Sequence, residues 1–192
     1  MESSKQSNSI STVLFNKKKV ELTKLKKNIY RLESFVENKN IYLEKIINFE
    51  LIQLFYKVNI SFFEIVEFEI INDDEAILFV LMKPLLKELG IQPRYVNLKI
   101  TKKIENSKVF FNCVSCDNFI NNTHKYDNAI RSPLLAVNIT CNLINPHLLN
   151  IVETLTFDES YNSFSIMESV LSKFLKIIFK QTITTIERIN MK

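Results

Sequence analysis

The feature that most constrains the fold is a change of hydrophobic period along the chain. Between residues 62 and 157 apolar side chains recur at every second position in short runs, and from residue 165 onward they recur at every third or fourth. Period two belongs to strands with one buried face, and period 3.6 to an amphipathic helix. Met167, Val170, Leu171, Phe174, Leu175 and Ile178 form the helical stripe, which Ile183, Ile186 and Ile189 extend. Lys173, Lys176, Lys180 and Gln181 fall between them. A helix of about 24 residues would be about 36 Å long. Ser165-Ile-Met-Glu168 reads as a capping box at its start, and Arg188 suits the negative end of its dipole.

The runs before it pair naturally. Phe62, Glu64, Val66, Phe68 and Ile70 lie on one face of the first, with Phe63, Ile65, Glu67 and Glu69 on the other. Asn72-Asp73-Asp74-Glu75 has turn chemistry, and residues 76–82 form a nearly wholly apolar strand, so a hairpin is expected. Residues 94–104 alternate, with Val96, Leu98 and Ile100 opposite Tyr95, Asn97, Lys99 and Thr101. A turn at 105–107 returns the chain through 108–114. Residues 117–133 form a polar connection. Leu135, Val137, Ile139, Cys141 and Leu143 share one side of a strand over 134–144, and a turn at 145–147 leads to a last strand over 148–157.

The N-terminal third is less regular. Residues 1–11 read as a polar tail and 12–192 as a single domain. Residues 12–22 read as one strand, which Lys17, Lys18 and Lys19 would place at a sheet edge. Leu25, Ile29 and Leu32 fit a helix over 24–35, and a strand or loop fits as well. Ile46, Ile47, Leu51 and Leu54 give a helix over 40–55. Strands that are grouped rather than alternating with helices give an α+β class: an antiparallel sheet wrapped around a long C-terminal amphipathic helix.

Composition narrows the chemistry. Of 192 residues one is glycine, Gly90. That removes the dinucleotide fingerprint, the phosphate-binding P-loop and the Gly-x-Ser-x-Gly nucleophile elbow. Net charge is +4, and the excess of Lys and Arg is concentrated in residues 1–60. This basic third reads as a solvated Lys-rich face rather than a nucleic-acid site. Fifteen Phe and six Tyr with no Trp give an aromatic core. The N-terminus carries no long apolar stretch of the secretory type, and no run is long enough to span a membrane.

Three cysteines make no closed disulfide set. Cys113 and Cys116 have a CxxC spacing, but a zinc ribbon needs a second pair, and two residues three apart on a strand face opposite sides. They read as core residues. His124 and His147 sit in polar loops with no nucleophile at a recognisable spacing. Glu67 and Glu69 share a strand face about 7 Å apart, which reads as an exposed sheet face rather than a carboxylate pair. No catalytic residue and no metal site is expected.

The order of elements resembles the helix-grip arrangement of the START and polyketide-cyclase-like superfamily. A strand over 79–86, the joint Leu89-Gly90-Ile91-Gln92-Pro93 and the alternating strand over 95–100 resemble, more particularly, a cyanobacterial and plastid family of unknown function assigned to that superfamily. The resemblance extends over about residues 40–189. It implies a cavity between sheet and helix for a hydrophobic ligand such as a pigment, quinone or lipid, and a plastid stroma as compartment; without it the reading is a cytoplasmic protein. The composition is rich in Ile, Asn, Lys and Phe, residues encoded by AT-rich codons, which suits a low-GC genome such as that of an organelle, a parasite or a large virus. Leu171, Phe174, Ile178 and Met167 are the expected helix wall of that cavity. Asn97, Thr101, Asn138 and Thr140 would be polar fixtures inside it or plain solvent-facing residues. A second reading is a structural subunit or assembly factor of a larger complex. An enzyme of cyclase or hydrolase type comes last, because no catalytic pair is visible.

Overall fold

The computed structural model describes residues 11–17, 19–84, 92–117, 128–159 and 165–190, with the side chains of 165–167 left out. Ten strands form one sheet and two α-helices pack on it. The strands are β1 (Thr12–Lys17), β2 (Val20–Lys26), β3 (Ile29–Glu37), β4 (Phe63–Ile70), β5 (Glu75–Met82), β6 (Arg94–Glu105), β7 (Lys108–Ser115), β8 (Ile130–Arg131), β9 (Leu134–Asn145) and β10 (Leu148–Phe157). The helices are α1 (Phe49–Val58) and α2 (Ser165–Arg188). The spatial order is β1-β2-β3-β10-β9-β7-β6-β5-β4, antiparallel throughout, with the short β8 added in parallel to β6. The α+β class and the sheet closed by a C-terminal helix are as expected from the sequence.

Alternation assigns the inner face. Tyr30, Leu32, Ser34 and Val36 of β3 are buried, and their β10 partners are Leu155, Glu153, Ile151 and Leu149. Cys141, Phe111, Ile100, Leu98, Leu78 and Val80 continue the same face across the sheet. The chain turns with little help from glycine: Asn28, Asn106 and Ser107 adopt positive φ at 61°, 46° and 65°. Asn tolerates that region better than most residues, and the two consecutive positive φ values at Asn106 and Ser107 are those of a type I′ hairpin turn.

Register shifts adjust the pattern: the pairing skips Leu14, Leu25, Glu64, Leu135 and Ile144. At Glu64 this brings both Phe63 and Val66 to the core, against a strict period of two. At Leu135 it exchanges faces: Leu134 packs on the core and Leu135 is exposed.

The N-terminal third departs most from expectation. The single strand over 12–22 is a hairpin of β1 and β2 turning at the lysine cluster, because Phe15 pairs with Leu22 and Lys17 with Val20. The helical spacing within 24–35 falls on two strands joined at Asn28. The helix over 40–55 is a short 3-10 turn, Leu43–Ile46, followed by α1. Asn48 separates them with an extended backbone, and its side chain caps α1 by accepting the Glu50 N–H at 2.6 Å. β8 was not foreseen within the polar connection. The Gly90 joint, His124 and the Ser165 side chain of the capping box lie outside the described residues.

Helix α2 is held at both ends. At its first turn Glu168 accepts from Tyr30 OH at 3.0 Å and pairs with Lys24 at 2.7 Å. At its last turn Asn38 Nδ2, buried just past β3, donates to the carbonyls of Ile186 at 2.6 Å and Ile189 at 2.9 Å. Ile186 is in the last turn, where helix carbonyls lack the usual i+4 partner, and its carbonyl also accepts the Ile189 N–H at 3.2 Å; Ile189 lies just past the helix. Toward α1, Asn59 Nδ2 donates to Thr182 Oγ1 at 2.8 Å, Gln181 Nε2 donates to the Val58 carbonyl at 2.9 Å, and Phe55 meets Phe179 with ring centroids 5.3 Å apart. The helix backbone thus approaches α1 on one side and β2 and β3 on the other.

Candidate ligand cavity

Where α2 passes over the middle strands it leaves a cavity of about 200 Å³. Its floor is the inner sheet face: Val36 from β3, Ile151 and Leu155 from β10, Val137 and Ile139 from β9, and Leu98 and Ile100 from β6. Its walls are Leu51, Ile52, Phe55 and Tyr56 of α1 and Leu171, Phe174, Leu175 and Ile178 of α2. The lining is overwhelmingly apolar. The volume exceeds the roughly 150 Å³ of a dry engineered cavity that admits benzene, and lies below the roughly 300–1,000 Å³ of drug-sized pockets.

One ionisable carboxyl enters this space. Glu153 sits between Ile151 and Leu155 on the inward side of β10, opposite Leu32 on β3 and Ile139 on β9. It lines the cavity with no hydrogen-bond or ion-pair partner among the described residues. Glu153 is half-buried, and protein crowds around its carboxyl. Burial pushes its carboxyl up from 4.5 to about 8, so the proton is mostly retained at neutral pH. Ser34 on β3 also lines the cavity; it is fully buried and its Oγ has no partner.

Three further groups feel Glu153. The Cys113 and Cys141 thiols are each raised to about 12, first by burial and then by the nearby carboxylate. The Tyr56 phenol is raised above its usual range by burial, then by Cys113 and Glu153. The two thiols are therefore held protonated, and a protonated thiol is not the nucleophilic form. The site can enclose an apolar molecule and offer it hydrogen bonds.

Of the positions expected from the sequence, Leu171, Phe174 and Ile178 line the cavity, and the Met167 side chain lies outside the described residues. Asn97, Thr101, Asn138 and Thr140 do not line it. Alternation puts them on the outer face, because Val96, Leu98, Ile100, Val137 and Ile139 occupy the inner one. Asn97 is nevertheless buried, with Oδ1 unpartnered, on the face where Phe79, Leu81 and Tyr95 form a small second cluster. Glu153, Ser34 and Tyr56 were missed. The signal for the first was present: in Leu149-x-Ile151-x-Glu153-x-Leu155-x-Phe157 a carboxylate interrupts an otherwise apolar inward row.

His147 is more than a solvated loop residue. Its Nδ1 lies 3.0 Å from the Asn38 carbonyl and 2.9 Å from the Ile41 carbonyl, and its ring stacks on Tyr42 at 5.4 Å. It ties the β9–β10 turn to the segment that carries Asn38. Among the described residues no cluster of His, Cys, Asp and Glu could hold a metal ion, and no helix is long and apolar enough to cross a membrane.

No protein-family model matches the sequence, and no curated protein does. Solved structures do. A STAR-related lipid transfer protein fragment from Xanthomonas axonopodis superposes with a TM-score of 0.67 at 9% identity, over 93% of this chain and 99% of that one. The human StarD13 lipid transfer and protein localization domain gives 0.66 at 10%, over 93% and 89%. Human StAR-related lipid transfer protein 5 gives 0.63 at 12%, over 95% and 87%. At such identities the likeness establishes the fold: a START-type helix-grip.

Proposed function

We propose that this protein binds a hydrophobic small molecule, a lipid, pigment or quinone, in the cavity between the sheet and α2, without transforming it. The observation that carries this reading is the cavity itself: about 200 Å³ under a helix pinned at both ends, with an apolar lining. Well-packed cores leave few voids larger than a water molecule. The fold shared with lipid transfer proteins supports it. A ligand losing about 200 Å² of apolar surface gains about 5 kcal/mol before ordering losses are subtracted. As it stands, the cavity suits a molecule of about ten to fifteen heavy atoms, and a longer one would have to lift α2. The proposed compartment, a plastid stroma, rests on the resemblance and on an amino-acid composition that suits a low-GC genome.

Native mass spectrometry of the protein purified from its own source, followed by organic extraction, tests the reading. The expected result is a discrete noncovalent adduct that releases an apolar molecule. A clean unliganded mass together with a stoichiometric protein partner would overturn it in favour of a structural subunit or assembly factor.

A further inference from the structure

We infer that Glu153 and Ser34 form a head-group site inside the cavity, and that the ligand is an apolar molecule ending in one neutral hydroxyl. The inference rests on the cavity being a binding site and adds the chemical class of its occupant. Ser34 and Glu153 are among the polar residues lining the cavity, with Tyr56, Ser132 and Thr182; Ser34 Oγ is buried without a hydrogen-bond partner, and Glu153 makes no hydrogen bond or ion pair among the described residues. Ser34 pairs with Ile151, and Glu153 lies two residues further along β10 on the same face. This diagonal relation separates their backbones by about 7–8 Å, so one oxygen between the side chains can reach both. Buried polar groups are nearly always hydrogen-bonded, and each exception calls for an explanation. Ser34 Oγ is such an exception, and a ligand oxygen set between it and the Glu153 carboxyl would complete both.

The chemistry of the pair selects the head group. A carboxyl that keeps its proton and a serine hydroxyl each offer a donor and an acceptor, and so does a hydroxyl. No Lys or Arg among the described residues lines the cavity, so a second carboxylate brought by a ligand would be buried without a counter-charge. An ammonium would require ionising Glu153 and stripping water from both charges. A hydroxyl needs neither.

A probe series on one skeleton tests this by calorimetric titration near pH 6.5: naphthalene, 2-naphthol, 2-naphthylmethylammonium and 2-naphthoate. The wild-type protein should bind 2-naphthol about tenfold more tightly than naphthalene, the worth of one net hydrogen bond, and the two ions more weakly than 2-naphthol. Glu153→Leu should bind naphthalene and 2-naphthol alike, while Glu153→Gln, which keeps a donor and an acceptor, retains the preference. Ser34→Ala should reduce it. Equal wild-type affinity for naphthalene and 2-naphthol, or strongest binding of the ammonium, overturns the head-group inference and leaves the cavity reading standing. No binding of any probe overturns the cavity reading and the inference with it. The wild-type series decides the question even if the Leu variant does not fold.

Discussion

Glu153 couples folding to pH in a direction opposite to that of most carboxylates. The folded chain keeps this proton up to about pH 8, whereas the unfolded chain releases it near 4.5. Between those values the unfolded state binds fewer protons, so stability falls as pH rises, by about 1.4 kcal/mol per pH unit at most, and this contribution levels off above pH 8. Cys113 and Cys141 add loss of the same sign only above pH 9. Urea unfolding at half-unit steps from pH 5 to 8.5 should show the slope, and Glu153→Gln should remove it. Replacing Glu153 by Leu should raise the stability of the unliganded protein at pH 8 by about 1–3 kcal/mol, since a buried polar group without a partner is then gone. A loss of stability would mean that Glu153 has a partner. Ser107 carries a different local cost: its φ of 65° is one that a side chain disfavours. Ser107→Gly is expected to stabilise by about 0.5–1 kcal/mol, readable as a rise in thermal midpoint.

At the scale of elements, α2 depends on a few polar contacts that the sequence does not announce. Asn38 satisfies two carbonyls at once in a buried setting, so Asn38→Ala should cost about 1–3 kcal/mol. Hydrogen exchange should then open the last turn of α2 first. Lys24→Met removes only a partly exposed ion pair with Glu168 and should cost less than about 1 kcal/mol. If the two variants cost the same, the end near Asn38 is not the firmer one. The hairpins of β4 with β5, β6 with β7 and β9 with β10 were legible because each joins alternating runs through a turn of Asn, Asp, Glu or Ser. The β1–β2–β3 meander was not. Leu25, Ile29 and Leu32 satisfy a helical spacing by coincidence, since the first is skipped in the pairing of β2 and the others lie on β3. Bulges are silent in the same way: at Leu135 a one-residue slip reverses which leucine faces inward, and both are leucine.

On the scale of the whole molecule, the fold class followed from the order of periods, and the cavity did not. A stripe such as Leu171, Phe174 and Ile178 reads the same whether it meets a packed core or a void. The difference lies in how far α2 stands from strands brought beneath it by long-range pairing. For the same reason the inner and outer faces of β6 and β9 could not be told apart, and the Asn and Thr positions proposed for the cavity lie on the outside. Filling the void tests its size. Val137→Phe, pointing in from β9, should stabilise the unliganded protein by about 0.5–2 kcal/mol and abolish the adduct seen by native mass spectrometry. An adduct that persists at full occupancy would place the ligand elsewhere.

The seam between β3 and β10 has a consequence for synthesis. Residues 29–37 emerge early, but their partner on one side is residues 148–156, more than a hundred positions later. Until that stretch leaves the ribosome, β3 presents an open edge. Pairing at such separation makes for slow folding and a long window of exposure to aggregation. Nascent chains truncated near residue 147 should therefore require a chaperone, and extension through β10 should release them.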